Sequence, residues 1–96
     1  MMKNVFKKIN EMKEIVDCFF ANADTEGDNV VLVNKNDEDD VKVLDLDFKY
    51  EWSYSNGLTI HIVDDENEID IPVKSVVDDE EDIDKLYINN YMLTVL

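Results

Sequence analysis

Between Leu44 and Ile62 apolar and polar residues alternate with a period of two, and the alternation breaks at one place only. Leu44, Leu46, Phe48, Tyr50, Trp52 and Tyr54 fall on one face, with Asp45, Asp47, Lys49, Glu51 and Ser53 on the other. Successive side chains of a strand point to opposite sides, so this pattern asks for a half-buried strand. Leu58, Ile60 and Ile62 must share the apolar face. A two-residue Asn56-Gly57 turn would set Ser55 opposite Leu58 and mismatch every pair behind it. A three-residue loop, Ser55-Asn56-Gly57, pairs Tyr54 with Leu58, Trp52 with Ile60 and Tyr50 with Ile62, and puts Gly57 where a left-handed residue is wanted. The same register sets Glu51 across from His61 and Lys49 across from Val63. The chain is thereby committed to an antiparallel hairpin with one buried face.

Upstream the period is helical. From Asn4 to about Asn22, Val5, Ile9, Met12, Val16 and Phe19 follow three-four spacing, and Phe6, Ile15 and Phe20 widen the stripe. Lys3, Lys7, Lys8, Glu11, Lys13, Glu14 and Asp17 fill the opposite side. Asn4 suits the N-cap, and Asn22 followed by Asp24-Thr25-Glu26-Gly27-Asp28 suits a stop and turn. The early lysines sit against the positive end of the helix dipole, a mild misfit. Residues 29–34 (NVVLVN) suit a buried strand. Val41 and Val43 are out of phase with the stripe that follows, which predicts a bulge near Val43 and Leu44. Ile69, Ile71 and Val73 point inward with Asp70, Pro72 and Lys74 outward, and Pro72 either places that strand at an edge or frays its end.

The tail has two readings. Residues 78–89 suit a short helix near residue 80, with Ile83, Leu86, Tyr87 and Tyr91 inward. Alternatively, residues 86–88 and 91–93 form a hairpin around Asn89-Asn90. Residues 91–96, from Tyr91 to Leu96, are a strand in either case. They are apolar on both faces except for Thr94, hence central in a sheet or a homodimer contact. The expected fold is a single α+β domain over residues 1–96: an N-terminal amphipathic helix packed on an antiparallel sheet of four to six strands.

Charge is the second constraint. The formal net charge is −15, and 21 of the 24 acids follow Ala21, where five lysines answer them; there is no arginine. Such a chain repels nucleic acid and anionic membrane and is drawn to a basic surface. No apolar run approaches the ~20 residues of a membrane helix. The single cysteine, Cys18, forms no internal disulfide, which with the lack of a signal-peptide pattern leads us to expect a cytoplasmic protein.

The acids cluster. Asp45, Asp47 and Glu51 are expected as a row on one strand face. Asp37, Glu38, Asp39 and Asp40 form one acidic loop, and Asp64, Asp65, Glu66 and Glu68 a second, continued by Asp70; Asp78, Asp79, Glu80, Glu81 and Asp82, with Asp84, extend the field. Carboxylates spaced along a rigid sheet can imitate the phosphates of a nucleic-acid backbone, and a protein built to neutralise phosphates would accept them with counterion release. In composition, size and helix-plus-sheet pattern the chain resembles the phage-type inhibitors that act as DNA mimics, including anti-restriction and anti-CRISPR proteins. The resemblance spans about three quarters of the chain and rests on charge and size, with no shared motif. It implies an inhibitor that acts in the cytoplasm of a bacterial host and occupies the nucleic-acid channel of a nuclease or other DNA-binding protein. An immunity or antitoxin-like plug for a basic toxin and a subunit of an oligomeric assembly are the rival readings.

Chemistry beyond binding has little support. His61 and Cys18 lie on different elements, and no carboxylate pair stands apart as acid and base. His61 opposite Glu51 suits a cross-strand ion pair. The acidic loops lack the glycine and terminal glutamate of a calcium-binding EF-hand, and zinc needs more His or Cys than the chain has. We therefore expect no catalytic residue, no metal and no cofactor, and a basic, nucleic-acid-binding protein as partner.

Overall fold

A computed structural model of the chain describes residues 3–37, 39–79 and 84–96. It is an α+β structure: one helix packed with two antiparallel sheets, which together are larger than the four to six strands expected. Among the described residues there are nine strands: β1 (Lys3–Phe6), β2 (Val30–Asn34), β3 (Val41–Val43), β4 (Lys49–Ser53), β5 (Thr59–Val63), β6 (Glu68–Pro72), β7 (Val76–Asp79), β8 (Leu86–Ile88) and β9 (Tyr91–Val95). The helix α1 (Ile9–Glu26) lies between β1 and β2 in the chain. Six strands form one sheet in the order β1-β7-β8-β9-β2-β3, and the other three form β4-β5-β6.

The helix begins at Ile9 rather than Asn4. Lys8 occupies the N-cap without a side-chain cap, and Asn4 lies in β1. The residues before Ile9 are drawn into pairing by an available sheet edge, with Val5 opposite Val77 and Phe6 opposite Val76. Long-range pairing here outweighs a helical pattern that β-branched Val5 supports only weakly. The helix also runs beyond Asn22. Gly27 ends it in the left-handed region at φ 71°, with its N–H on the Asp24 carbonyl (3.1 Å) and the Asp28 N–H on that of Ala23 (2.9 Å). That is a Schellman closure, which glycine adopts without strain.

The hairpin has the expected register: Tyr50 pairs with Ile62, Glu51 with His61, Trp52 with Ile60 and Lys49 with Val63. Gly57 takes φ 81° in the Ser55-Asn56-Gly57 loop. The alternation upstream of it does not make one strand. After β3 the chain leaves the six-stranded sheet through a turn closed by the Phe48 N–H on the Asp45 carbonyl (3.2 Å) and re-enters as β4 of the other sheet. The phase slip near Val43 and Leu44 thus marks a switch between sheets instead of a bulge. Leu44 is buried, but Leu46 is 57% exposed at the tip of the turn. Pro72 ends β6, an edge strand.

The tail follows the hairpin reading. Ile88 pairs with Tyr91 around Asn89-Asn90, and Asn89 supplies the positive φ (51°) that a two-residue loop needs. Residues 78–79 belong to β7 and 86–88 to β8, so a helix over 78–89 is not formed; residues 80–83, where its centre was expected, lie outside the described residues. β9 is central, between β8 and β2. One apolar cluster joins Met12, Val16, Phe19, Phe20 and Ala23 of the helix to Leu32, Leu86, Ile88 and Leu93 of the larger sheet and Ile60, Ile62 and Ile71 of the smaller. Phe20 meets Phe48 and Tyr50 at ring-centroid distances of 5.2 and 4.7 Å, so the aromatic stripe is core up to Trp52, whereas Tyr54 is exposed.

Candidate functional site

The C-terminal turn of the helix is the centre of an acidic rim. Asp24 and Glu26 lie in that turn and Asp28 just beyond it, and no basic residue accompanies them. Glu26 and Asp84 line one side of a shallow cleft with Phe19, Asn22, Ala23 and Val95. The Glu26 carboxyl is held above its ordinary range, first by a hydrogen bond with Asp28, then by the charge of Asp28, some burial and the charge of Asp84.

Two hydrogen bonds bring the sheet-switching turn to the same end. Asn29 Nδ2 donates to the Leu44 carbonyl (2.9 Å), and the Leu44 N–H to that of Val30 (2.8 Å). The Asp45 N–H then donates to Asp64 Oδ2 (3.0 Å), seating the loop after β5 against the turn. Asp24 faces Leu46 and Phe48 across a second cleft. Asp84, Glu26, Asp28, Asp24, Asp45, Asp47, Asp65 and Glu66 are thereby strung around one end of the molecule.

The expected acidic groups divide by role. Asp45 and Asp47 sit in the turn and Glu51 on β4, so the three do not form a row on one strand; the switch between sheets separates them. Asp64 is turned inward. Partial burial pushes its carboxyl up, but N–H groups of Asp45, Glu66 and Asn67 and the Asn67 amide more than offset this and hold it below its ordinary range. Asp65 and Glu66 remain exposed at the loop tip. Asp37, Asp39 and Asp40 lie in the β2–β3 hairpin, at the far end of the larger sheet from the rim. Asp37 Oδ1 accepts the Asp39 N–H (3.1 Å), and Asp40 is lowered by hydrogen bonds from Lys42 and then Asn34. Asp79 is only 7% exposed, and Asp78 lines the cleft between the helix and β8. Glu38, Glu80, Glu81 and Asp82 lie outside the described residues.

The outward face of the smaller sheet carries a cross-strand row, Glu51–His61–Asp70, flanked by Lys49–Val63–Glu68. His61 faces Glu51 as expected, but its Nδ1 is hydrogen-bonded to Asp70 on the other side. That bond raises the imidazole above its ordinary value, burial opposes it, and the charges of Asp70, Glu68 and Glu51 add to the rise.

Asp17 is the residue that sequence reasoning misplaced. The sequence places it on the solvated side of the helix, yet its Oδ1 accepts from both the Tyr50 hydroxyl (2.9 Å) and the Trp52 indole N–H (3.0 Å). The available signal was the inward stripe itself, because an inward Tyr or Trp needs a partner for its polar tip. Burial, then the bond and charge of Asp17, push the Tyr50 hydroxyl up to about 12. Likewise nothing in the sequence groups Asp24, Glu26 and Asp28 with the other acids. Only the fold brings the helix end beside the turn and loop.

Among the described residues no group of three His, Cys, Asp or Glu side chains could hold a metal ion, and no helix is long and apolar enough to cross a membrane. Cys18 is exposed on α1 and His61 lies on β5, so the two share no site. No protein-family model, curated protein or solved structure matches the chain.

Proposed function

We propose that the protein is a non-enzymatic inhibitor that presents its acidic rim to the basic nucleic-acid-binding cleft of a nuclease or other DNA-binding protein, in place of DNA. The observation that carries this reading is the placement of Asp24, Glu26 and Asp28 at the C-terminus of the helix. The peptide dipoles there already sum to roughly half a negative charge, so each added acid is unfavourable where a lysine would stabilise. Asp84 and the Asp45–Asp47 turn add further negative charge to the same end. A face used only for solubility would serve as well with mixed signs. A cationic groove would turn the repulsion into attraction and release the counterions that both surfaces hold.

The test uses proteins retained from a bacterial lysate on immobilised duplex DNA, passed over the immobilised chain and eluted with a salt gradient. The reading expects a captured protein that elutes at moderate salt and loses its DNA in the presence of free inhibitor. Glu26→Lys combined with Asp47→Lys, both at exposed positions, should abolish that competition while the fold is kept. Capture that leaves DNA binding intact, or competition that ignores both substitutions, refutes it.

A further inference from the structure

The two sheets treat their outward faces differently. The smaller one follows the usual antiparallel rule, apolar inside and polar outside, with Lys49, Glu51, Thr59, His61, Glu68 and Asp70 facing away from the core. The larger one does not. Its register places Val5 opposite Val77, Val77 opposite Tyr87, Tyr87 opposite Met92, Met92 opposite Val33 and Val33 opposite Val41. This is an apolar row across all six strands, on the face turned away from the core residues Leu32, Leu86 and Leu93. A second row, Thr94–Val31–Val43, runs beside it on the same face. Val5, Val41 and Val43 are 59%, 48% and 47% exposed. Among the described residues no carboxylate lies within either row; Asp79, two residues beyond Val77 on the same face, is only 7% exposed, and the Lys35 ammonium lies 4.1 Å from the Tyr87 ring centroid.

We propose that this face is a homodimer contact in which the larger sheets of two copies pack back to back. Two observations select a second copy as the occupant. The first is charge. A basic partner is drawn to the acidic rim, whereas these rows offer it nothing to pair with. For two molecules of net charge −15 this is a surface on which they can meet without setting carboxylates against each other. An apolar row is also its own complement, as a two-fold contact requires.

The second is area. Five strand spacings make the first row about 24 Å long; the second adds less, since Val31 is only 6% exposed, and the two together offer roughly 300–500 Å² of accessible surface per copy. A pair joined through these rows would bury at most about 1,000 Å², the size of a weak, transient interface and short of the ~1,600 Å² of a tight one. The contact is an aligned sandwich, with sheets about 10 Å apart, that assembles at micromolar concentration or above. It stands independently of the inhibitor reading and has the opposite salt response. Salt screens the repulsion between like-charged copies and so tightens this association, whereas it loosens the grip of a basic partner.

Sedimentation velocity on the full chain tests it, from about 5 to about 500 μM, and from about 50 to about 500 mM NaCl. The weight-average mass should climb from that of one chain toward twice that value, with the apparent Kd tightening at least about threefold at the higher salt. Met92→Lys, at the centre of the row, should weaken the dimer at least about tenfold through the cost of burying an unpaired ammonium. Val5→Lys and Val41→Lys, at exposed sites on edge strands, keep the test open if Met92→Lys unfolds. All three substitutions lower the net negative charge, so electrostatics alone would promote association. A single-chain mass under every condition overturns the proposal. So does a dimer that loosens with salt or is indifferent to the edge substitutions.

Discussion

Replacing Asp17 tests whether the helix is held to the smaller sheet by one carboxylate. Its Oδ1 receives two hydrogen bonds, from Tyr50 and Trp52, at 2.9 and 3.0 Å. Hydrogen bonds to a charged group contribute about 1.5–3 kcal/mol each when buried. All three residues here are half-buried, so water can partly replace the lost acceptor. For Asp17→Ala we expect a loss of about 2–3 kcal/mol for the pair, a substantial part of the stability of a domain this small. That corresponds to a fall in Tm of roughly 8–24 °C. Asp17→Asn keeps an acceptor oxygen and should cost about 1 kcal/mol. Removing any acid from so negative a chain relieves repulsion, so Glu14→Gln, exposed on the same helix, serves as the charge control. Urea unfolding followed by tryptophan fluorescence measures all three. The linked pH effect has a definite sign. Tyr50 in the folded state holds its proton up to about 12 against an ordinary value of 10.0. This stabilisation is complete below pH 10 and is lost as the pH rises from 10 toward 12, and the Asp17→Ala variant should lose less over that interval. An Asp17→Ala protein within about 0.3 kcal/mol of Glu14→Gln would show that the bonds do not anchor the helix.

Glu26→Gln should raise Tm at neutral pH, because the folded-state carboxyl titrates above its ordinary 4.5 and its charged form is therefore disfavoured by folding; a lower Tm would contradict the like-charge account. His61 should titrate above 6.5 by NMR, with the associated stability present below that pH and lost as the pH climbs through the raised value. Asp70→Asn should bring His61 back down, and an unchanged midpoint would remove Asp70 as the cause. Asp64→Ala should cost about 1–2 kcal/mol by stripping the acceptor from three backbone N–H groups. The contribution of the Asp64 charge is present above pH 3.8 and lost as the pH falls through its lowered value, so acid unfolding of the variant should begin from a lower plateau with a shallower slope.

Local chemistry made much of the fold legible. The hairpin register followed from parity and from Gly57, because a shift of one residue would expose Trp52, Ile60 and Ile62 together. The helix was legible in its middle and not at its start. Nothing within residues 4–8 reveals that Val77 and Val76 will offer them a sheet edge. The alternation from Leu44 to Tyr54 begins in a turn and ends in β4, so periodicity alone cannot show that its first half is not strand. The acidic character was evident in composition, but its arrangement depended on contacts between distant segments, such as Asn29 with Leu44 and Asp45 with Asp64. Sequence also cannot separate an acid that faces solvent from one, like Asp64 or Asp17, spent on backbone or aromatic donors.

The order of strands in the larger sheet has a consequence for how the molecule reaches its native state. β2 finds β3 nearby, but its other neighbour is β9, and Leu32 must wait for Leu93 across more than half the chain. β1 waits similarly for β7. Loop closure over such separations is slow, and until it is complete Val30 to Val33 form a bare, β-branched strand edge of the kind that recruits other unfinished chains. A heavy burden of like charge keeps those half-built molecules apart in the crowded period before closure. The acids would then also act as guardians of assembly, whatever they later recognise.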